Sequence, residues 1–385
     1  MEITDVQTAR IGGSSAVVRI DTDEGTSGYG EAVVETAPQP VFEVIQAIAN
    51  RYLIGEDPAP IERHRRQFQD AVWYHDGPIM NSAFSGIETA LWDIKGKALG
   101  VPVYELLGGP VRDKVRVYKW IGEKTRENLA EQAHERVEEG LTCIKFSPTS
   151  NDPKKYPQVI DEVTDIVSDV RDAVGPKIDI MLDPASRWKL AEAKHIASEL
   201  EEFNPLVAED FISPYYIPAV EKLADSTNIP YALGDRRYRL REFEEIIQRD
   251  AAAVLQPDIC HSGGLAEIKK IASAAEHHGM RIAPHNPLGP VALASALHVD
   301  LSVPNFLIQE IAHTDFDEEG DAGFGSWALS EHIDTDILEI EDGYIPAPNK
   351  PGLGVSIDDE VFEDQPPVPD EPLFFDRDNF HVPEW

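Results

Sequence analysis

Between residues 178 and 310 the sequence repeats one arrangement six times: an apolar run, a polar residue at its end, and a helix-length segment. The runs are IDIMLD (178–183), PLVAE (205–209), YALGD (231–235), AVLQPD (253–258), RIAPH (281–285) and FLIQE (306–310). Their last residues follow one another at intervals of 23 to 27 residues. This alternation is typical of a (β/α)₈ barrel, which carries its chemistry at the carboxyl ends of its strands. We therefore expect one mouth to be ringed by these end residues: Asp183, Glu209, Asp235, Asp258, His285 and Glu310.

The same alternation extends toward the N-terminus. VRVYKW (115–120) and TCIKFS (142–147) supply two more strands and bring the number to eight. Residues 1–35 alternate as three strands with hairpin turns, whereas residues 40–107 have helical periodicity. We predict an α/β protein in three parts: an α+β module over 1–113, a (β/α) barrel over 114–320, and a Pro-rich segment over 321–385 that packs back on the module.

The chain is strongly acidic. Lys and Arg total 34 against 70 Asp and Glu, which gives a formal net charge of −36. This charge argues against nucleic acid or an anionic membrane as a partner. A carboxylate surface of this density suggests adaptation to high salt, where screening relieves self-repulsion. The alternative is an ordinary acidic cytosolic protein.

Cysteine content and hydropathy place the chain in a reducing, aqueous compartment. Cys143 and Cys260 lie in strand-like apolar runs, so we expect neither a disulfide framework nor a zinc site. The opening MEITDVQTARIGG has no apolar core of a signal peptide, and no apolar run approaches the ~20 residues that span a bilayer. We expect a soluble, cytoplasmic protein that forms a homo-oligomer.

The first three end residues, Asp183, Glu209 and Asp235, are carboxylates on successive strands, an oxygen-rich set that suits Mg²⁺. Such carboxylates also cap helices, but for three at this spacing we favour metal binding. A proton α to a carboxylate is weakly acidic, and a divalent cation on that carboxylate stabilises the enediolate left by its removal. His285 is the expected base, and Asp258 is suited to fix its tautomer and orientation.

Four further residues are candidates for the mouth. Lys145 could place its ammonium group near the substrate carboxylate or serve as an ion-pair partner, and Arg236 is open to the same two interpretations. Glu310, if protonated, could donate a hydrogen bond to the enediolate. His261, in ICHSGG, could face the mouth and bind substrate, and the glycine pair after it forms a turn that could receive an anion at a helix N-terminus.

Five motifs carry a resemblance to a known family. They are GIETALWDIKGKALGVPVYELLGG (86–109), LQPDICHSGGLAEIKKIA (255–272), APHNPLGPVALASALH (283–298), LIQE (307–310) and KPGLGV (350–355). With these motifs, the whole chain resembles the mandelate racemase branch of the enolase superfamily and is similar to the D-galactonate dehydratase family.

The resemblance implies a modified (β/α)₈ TIM barrel with an N-terminal α+β capping domain, acid-sugar substrates and one Mg²⁺ per subunit. It assigns the metal to Asp183, Glu209 and Asp235. It makes His285 the general base with Asp258 as its partner, and it matches Glu310 to the family's Glu on the last catalytic strand.

The chain departs from the family pattern at three positions. Dehydratases of this family carry a general-acid His two residues after the first metal ligand, and Ala185 stands there. Asp235 replaces a Glu as the third ligand, and Phe211 replaces a Pro in EDFISP. The first departure concerns the reaction itself, whereas the other two concern geometry.

Three functions remain open on this reasoning. The leading one is a Mg²⁺-dependent dehydratase that converts a galactonate- or gluconate-type acid into a 2-keto-3-deoxy acid. Because Ala185 offers no proton, the leaving hydroxyl then takes one from another group, from water, or from His285 in a syn elimination. The second is a C2 epimerase or racemase with Lys145 as its second acid/base. The third is a sugar-acid-binding homologue with little catalysis.

Overall fold

The N-terminal part is an antiparallel sheet covered by helices. A computed structural model of the protein describes residues 1–11, 15–34, 38–71, 74, 76–122, 126–149, 157–311 and 332–363. The sheet runs in the order β1 (Ile3–Ile11), β2 (Ser15–Thr22), β3 (Ser27–Val33). Its helices are α1 (Pro38–Ile48), which continues as a π-helical turn (Ala49–Leu53), α2 (Ile61–Ala71), α3 (Pro78–Leu99) and α4 (Val103–Leu106).

Helix α3 lies directly on β3 because small residues face each other at the contact. A side chain on Gly30 would collide with the backbone of Gly86, and one on Gly28 would collide with Ala90. The helix ends at Gly100, whose φ of 70° is a left-handed conformation that favours glycine. This close packing fixes the position of α3, and of the acidic side chains it carries, relative to β3.

Eight parallel strands form the barrel. They are β4 (Lys114–Ile121), β5 (Cys143–Phe146), β6 (Asp179–Leu182), β7 (Val207–Glu209), β8 (Tyr231–Leu233), β9 (Val254–Leu255), β10 (Arg281–Ile282) and β11 (Gln309–Ile311). From β4 to β10 each strand pairs with its neighbour in chain order, and β11 returns to pair with β4. A bridge between Ile282 and Phe306 joins β10 to the segment leading into β11. The predicted (β/α)₈ fold is confirmed.

In the described ranges, seven helices surround these strands. They are α5 (Arg126–Glu138), α6 (Gln158–Val174), α7 (Leu190–Leu200) with a 3₁₀ turn (Glu201–Phe203), α8 (Ile217–Ala224), α9 (Arg239–Gln248), α10 (Leu265–His277) and α11 (Pro290–Ser302). Most bury one apolar face against the strands. Helix α11 is buried along its whole length because it also packs against β3 and α4. The N-terminal part therefore sits against the same side of the barrel as α11.

After the barrel, the described residues 332–363 contact both preceding parts. They form β12 (Ile333–Asp334), a 3₁₀ turn (Asp336–Leu338), β13 (Tyr344–Pro346), β14 (Ser356–Ile357) and α12 (Glu360–Glu363). Strand β13 pairs antiparallel with β4, and the Leu353 N–H donates to Asp93 of α3 at 2.8 Å. Residues 321–331 and 364–385 lie outside the described ranges. The three-part division stays a prediction.

No helix in the described ranges is long and apolar enough to cross a membrane.

Candidate active site

A ring of side chains fills the middle of the barrel. One residue from each strand or its extension contributes to it: Tyr118, Cys143, Met181, Val207, Ala232, Val254, Ala283 and Ile308. Alternate residues of a strand point the same way, so the residues two positions further along also face inward. These are Trp120, Lys145, Asp183, Glu209, Gly234, Gln256, His285 and Glu310. This layer, called the polar layer below, stands on a hydrophobic floor at the carboxyl end of the barrel. It contains four of the six end residues, Asp183, Glu209, His285 and Glu310, whereas Asp235 and Asp258 follow its members Gly234 and Gln256 by one and two residues.

The three predicted metal ligands lie on adjacent strands, β6, β7 and β8, and affect one another electrostatically. Burial raises the pKa of Glu209 to about 8, and the charges of Asp183 and Asp235 act in the same direction. Burial also raises the pKa of Asp183. In Asp235 one carboxylate oxygen, Oδ1, is buried without a hydrogen-bond partner among the described residues. Three carboxylates are thus concentrated in one small space, where their mutual repulsion favours a cation.

Two of these predicted ligands already pair with cationic side chains, Glu209 with Lys145 and Asp235 with Arg236. The buried ammonium of Lys145 lies 2.8 Å from Glu310 Oε1 and 3.2 Å from Glu209 Oε2. Arg236 Nε lies 3.3 Å from Asp235 Oδ2. Within the described ranges, no three His, Cys, Asp or Glu side chains stand ready-arranged around one point as metal ligands. Coordination of one ion by the predicted set therefore requires side-chain rotations away from Lys145 and Arg236.

His285 and Asp258 form the dyad predicted from the sequence. His285 Nδ1 and Asp258 Oδ2 are 2.7 Å apart, and Asp258 Oδ1 accepts N–H bonds from Cys260 and His261 at 2.7 and 3.1 Å. Burial alone would lower the pKa of His285, but the bond to Asp258 and the charge of Glu310 raise it to about 10. With Nδ1 held by Asp258, Nε2 is the ring nitrogen left for a substrate.

Glu310 is an acceptor in this structure. Its Oε1 pairs with Lys145, and its Oε2 accepts the Asn286 N–H at 3.0 Å. Burial favours the protonated form, but the charges of Lys145 and His285 hold the pKa of Glu310 below its ordinary value. The protonated Glu310 considered in the sequence analysis is therefore not what this arrangement provides.

Comparison with known proteins identifies the family. Residues 1–108 match the mandelate racemase/muconate lactonizing enzyme N-terminal domain, and residues 128–361 match the enolase C-terminal domain-like family. The chain belongs to the enolase superfamily. It is 38% identical to a D-galactonate dehydratase of Variovorax paradoxus over 94% of this chain and 93% of that protein. A D-galactonate dehydratase of Xanthomonas oryzae is 36% identical over the whole of both chains.

A solved structure supports the same assignment. An enolase from Agrobacterium radiobacter with bound Na and L-malate superimposes with a TM-score of 0.86, at 28% identity, over 95% of each chain. The predicted resemblance to the mandelate racemase branch and to D-galactonate dehydratases is confirmed. So is the expectation of a capping-domain barrel and of an enzyme of this superfamily.

Ala185 stands where the resemblance implies a general acid. Its neighbour Ser186 lies beside an ion pair between Arg236 and Asp210. Arg236 Nη2 lies 2.7 Å from Asp210 Oδ2 and 3.4 Å from Ser186 Oγ, and the Asp210 carbonyl accepts the Ser186 N–H at 2.7 Å. Ala185, Ser186 and Asp210 all have positive φ, between 42° and 65°, which is costly for residues with a side chain. Of the two interpretations of Arg236, the structure shows the ion pair.

His261 lies between Asp258 and the capping domain. Its Nε2 lies 3.0 Å from the carbonyl oxygen of Val33 in β3, and its Nδ1 lies 3.6 Å from Asp258 Oδ1. The side chain is 8% exposed. His261 therefore joins the barrel to the capping domain, and the substrate-binding role expected from the sequence stays a prediction.

Two residues of the site, Gln256 and Asp210, were not expected from the sequence. Gln256 Nε2 donates to Glu209 Oε2 at 2.6 Å, and its side chain is fully buried in the polar layer. Its position two residues after Val254, a member of the hydrophobic floor, would have indicated an inward direction. Asp210 directly follows the expected ligand Glu209, but adjacency alone does not show that it pairs with Arg236.

Proposed function

We propose that this protein is a Mg²⁺-dependent dehydratase of a galactonate- or gluconate-type sugar acid. The observation that carries the proposal is the 2.7 Å dyad of His285 and Asp258, set in the same polar layer as Asp183 and Glu209. Proteins named D-galactonate dehydratase are similar to this chain over nearly its full length. The Agrobacterium enolase binds L-malate, a hydroxy acid with a carboxylate beside the hydroxyl-bearing carbon.

The residues present fit a magnesium ion, which the superfamily generally uses. Asp183, Glu209 and Asp235 supply the hard oxygen donors that Mg²⁺ prefers. The pKa of Glu209, raised to about 8, and the unpartnered Asp235 Oδ1 are the signs of carboxylates that a cation would stabilise. When bound, the ion would attract the substrate carboxylate and stabilise the negative charge that develops on it.

His285 performs the first proton transfer in this proposal. Its Nε2 takes the C2 proton, and the electrons of the broken C–H bond move into the substrate carboxylate to form an enediolate. Asp258 stabilises the imidazolium and holds its Nδ1–H, so that Nε2 keeps its direction. The buried Lys145 balances the charge of Glu209 and Glu310 beside this step.

The second step expels the 3-hydroxyl group. The enediolate electrons re-form the carboxylate and create the C2–C3 double bond of an enol while the C3–O bond breaks. The departing oxygen needs a proton, and Ala185 cannot supply one. We propose that His285 returns the proton it took, so that water leaves from the same face of the substrate. The enol then tautomerises to a 2-keto-3-deoxy acid.

The epimerase alternative is disfavoured by the state of Lys145. An epimerase needs a neutral base on the opposite face of C2. Burial alone would lower the pKa of Lys145, but the charges of Glu209 and Glu310 raise it well above its ordinary value. Lys145 is therefore harder to deprotonate than His285, so His285 is the group of the two that becomes a neutral base first. The third function, a sugar-acid-binding protein with little catalysis, stays open. The experiment below separates it from the other two.

The deciding experiment is turnover of a sugar-acid panel with Mg²⁺, with 2-keto-3-deoxy acid detected colorimetrically. We expect product with at least one C2–C3 configuration that permits syn elimination, and loss of both product and C2 deuterium exchange in His285→Asn. Exchange in D₂O without product from any acid would favour epimerisation. Binding of an acid with neither exchange nor product would support the third function and refute ours.

We further propose that the enzyme is a cytoplasmic homo-oligomer. Light scattering of the purified protein tests the assembly, and a molar mass near the 42.7 kDa of one chain would refute it.

A further inference from the structure

Helices α10 and α11 of the barrel both begin at a glycine N-cap. Helix α10 follows the loop that carries Asp258, and α11 follows the loop that carries His285. Their N-cap residues are Gly264 and Gly289, which have no side chain to accept the N–H groups of the first turn. Each helix is capped instead by a buried carboxylate from the capping domain.

Glu31, in β3, caps α11. Its Oε1 accepts the Gly289 N–H at 2.8 Å, and its Oε2 accepts the Ala292 N–H at 2.9 Å. The side chain is buried. A side chain on Gly289 would collide with the Glu31 carboxylate, so glycine is required for this approach. The carboxylate also lies at the positive end of the helix dipole, where negative charge is favourable.

Glu88, in α3, caps α10 in the same way. Its Oε2 accepts the Leu265 N–H at 2.9 Å, and its Oε1 accepts the Ala266 N–H at 3.1 Å. One helical turn earlier, Ser85 Oγ accepts the Gly263 N–H at 2.9 Å. The anion that the glycine pair was expected to receive is therefore a carboxylate of the same chain.

These contacts lie close in sequence to the catalytic dyad. Gly289 is four residues after His285, and Leu265 is seven residues after Asp258. A parallel β-bridge already pairs the backbones of Asp258 and His285, and their 2.7 Å side-chain bond depends as well on the two loops that follow them keeping their relative position. The capping domain holds both loops at once, each through a buried carboxylate.

We propose that Glu31 and Glu88 are positioning residues that keep the loops of His285 and Asp258 in register, so that the dyad is assembled by the capping domain. For the catalytic part, the inference rests on the proposed function. Loss of either carboxylate leaves the substrate's binding groups in place but loosens the base. It therefore lowers kcat more than it changes KM.

The test compares Glu31→Gln and Glu88→Gln with a matched control, Asp93→Asn. Asp93 is a fully buried carboxylate of α3 that accepts backbone N–H bonds from Tyr29 and Leu353, but it touches neither catalytic loop. Hydrogen–deuterium exchange is followed in two segments, 259–266 and 286–293. Because Gln has one acceptor oxygen where Glu has two, each variant leaves a buried backbone N–H without its acceptor, and we expect exchange at least about tenfold faster in 259–266 for Glu88→Gln and in 286–293 for Glu31→Gln. Each variant should leave the other segment nearly unchanged.

Steady-state kinetics completes the test. We expect kcat to fall at least about tenfold in both Gln variants with KM changed less than about twofold, and Asp93→Asn to keep both values near wild type. Unchanged exchange in the two segments, or the same kinetic loss in Asp93→Asn, would overturn the proposal. If a Gln variant does not fold, Ser85→Ala replaces Glu88→Gln and Glu31→Asp replaces Glu31→Gln. A wild type that dehydrates no sugar acid refutes the proposed function alone, since the exchange measurements still decide the loop contacts.

Discussion

Replacement of Asp258 by Asn should lower the pKa of His285 by about 1 to 2 units. The pKa of His285 is about 10 against an ordinary 6.5, although burial alone would lower it. The bond from Nδ1 to Asp258 is the first of the raising influences, followed by the charge of Glu310. A hydrogen bond to a charged group contributes about 1.5–3 kcal/mol, and one pKa unit corresponds to ~1.4 kcal/mol. The introduced amide would keep the shape of the carboxylate but not its charge. The charge of Glu310 would still keep the pKa of His285 above its ordinary value.

The sign of the pH dependence follows from linkage between protonation and folding. A histidine with a raised folded pKa stabilises the protein fully below its unfolded pKa of about 6.5, and this contribution is lost as pH rises through about 10. The excess stability of wild type over Asp258→Asn should therefore be largest below about pH 6.5 and vanish in alkaline solution. In the variant, the neutral form of His285 should appear at lower pH, so turnover should begin at lower pH. The maximal rate should be lower, because Asp258 no longer holds the orientation of the imidazole.

NMR titration of the imidazole Cε1–H resonances measures the shift directly in chelator-treated protein, with His285→Asn for assignment. His298 serves as an internal reference. It lies in α11, accepts the Tyr104 N–H at 3.2 Å, and burial lowers its pKa to about 4. Identical titration of His285 in wild type and Asp258→Asn would refute the reasoning. An equal displacement of His298 would show instead that the substitution disturbs the whole barrel.

Three further outcomes are expected. Mg²⁺ should raise the melting temperature of wild type by mass action and do so far less in Asp183→Asn, Glu209→Gln and Asp235→Asn; equal stabilisation of all four proteins would contradict the site. With a net charge of −36, the melting temperature should rise with KCl, and a maximum below ~0.1 M would exclude adaptation to high salt. Ala185→His should accelerate an acid that needs anti elimination by ~10²–10⁴-fold and leave a syn substrate nearly unchanged, as rates of product formation will show.

The strands and the polar layer could be predicted because both follow from periodicity. Strands as short as β9 (Val254–Leu255) and β10 (Arg281–Ile282) were recognisable because each closes with a polar residue after an apolar run. A side-chain period of two then places the residue two positions after each floor residue in the polar layer above it. Gln256 was accessible to the same argument, since it stands on the inward face between Val254 and Asp258.

Partners that come from distant parts of the chain could not be predicted this way. Glu31 and Glu88 accept backbone N–H bonds from residues 258 and 177 positions later, and nothing local distinguishes them from surface carboxylates. His261 has the same difficulty, because the Val33 carbonyl that binds it lies 228 residues away. Sequence indicated that the glycines before α10 could receive an anion, but only the packing of α3 shows which anion it is.

The contacts around Ala185 and those of the dyad both fit the proposed mechanism, in which His285 takes and returns the proton. At Ala185 the strained backbone is held by the Asp210 carbonyl, and Arg236 beside it is already paired with Asp210 and Asp235. A guanidinium group does not release its proton near neutral pH. Arg236 therefore does not supply the proton on this side. In the proposed mechanism His285 returns the proton to the departing oxygen, and its bond to Asp258 stabilises the imidazolium between the two steps. The absence of an acid at Ala185 and the dyad of His285 with Asp258 are thus compatible with one histidine that serves both steps.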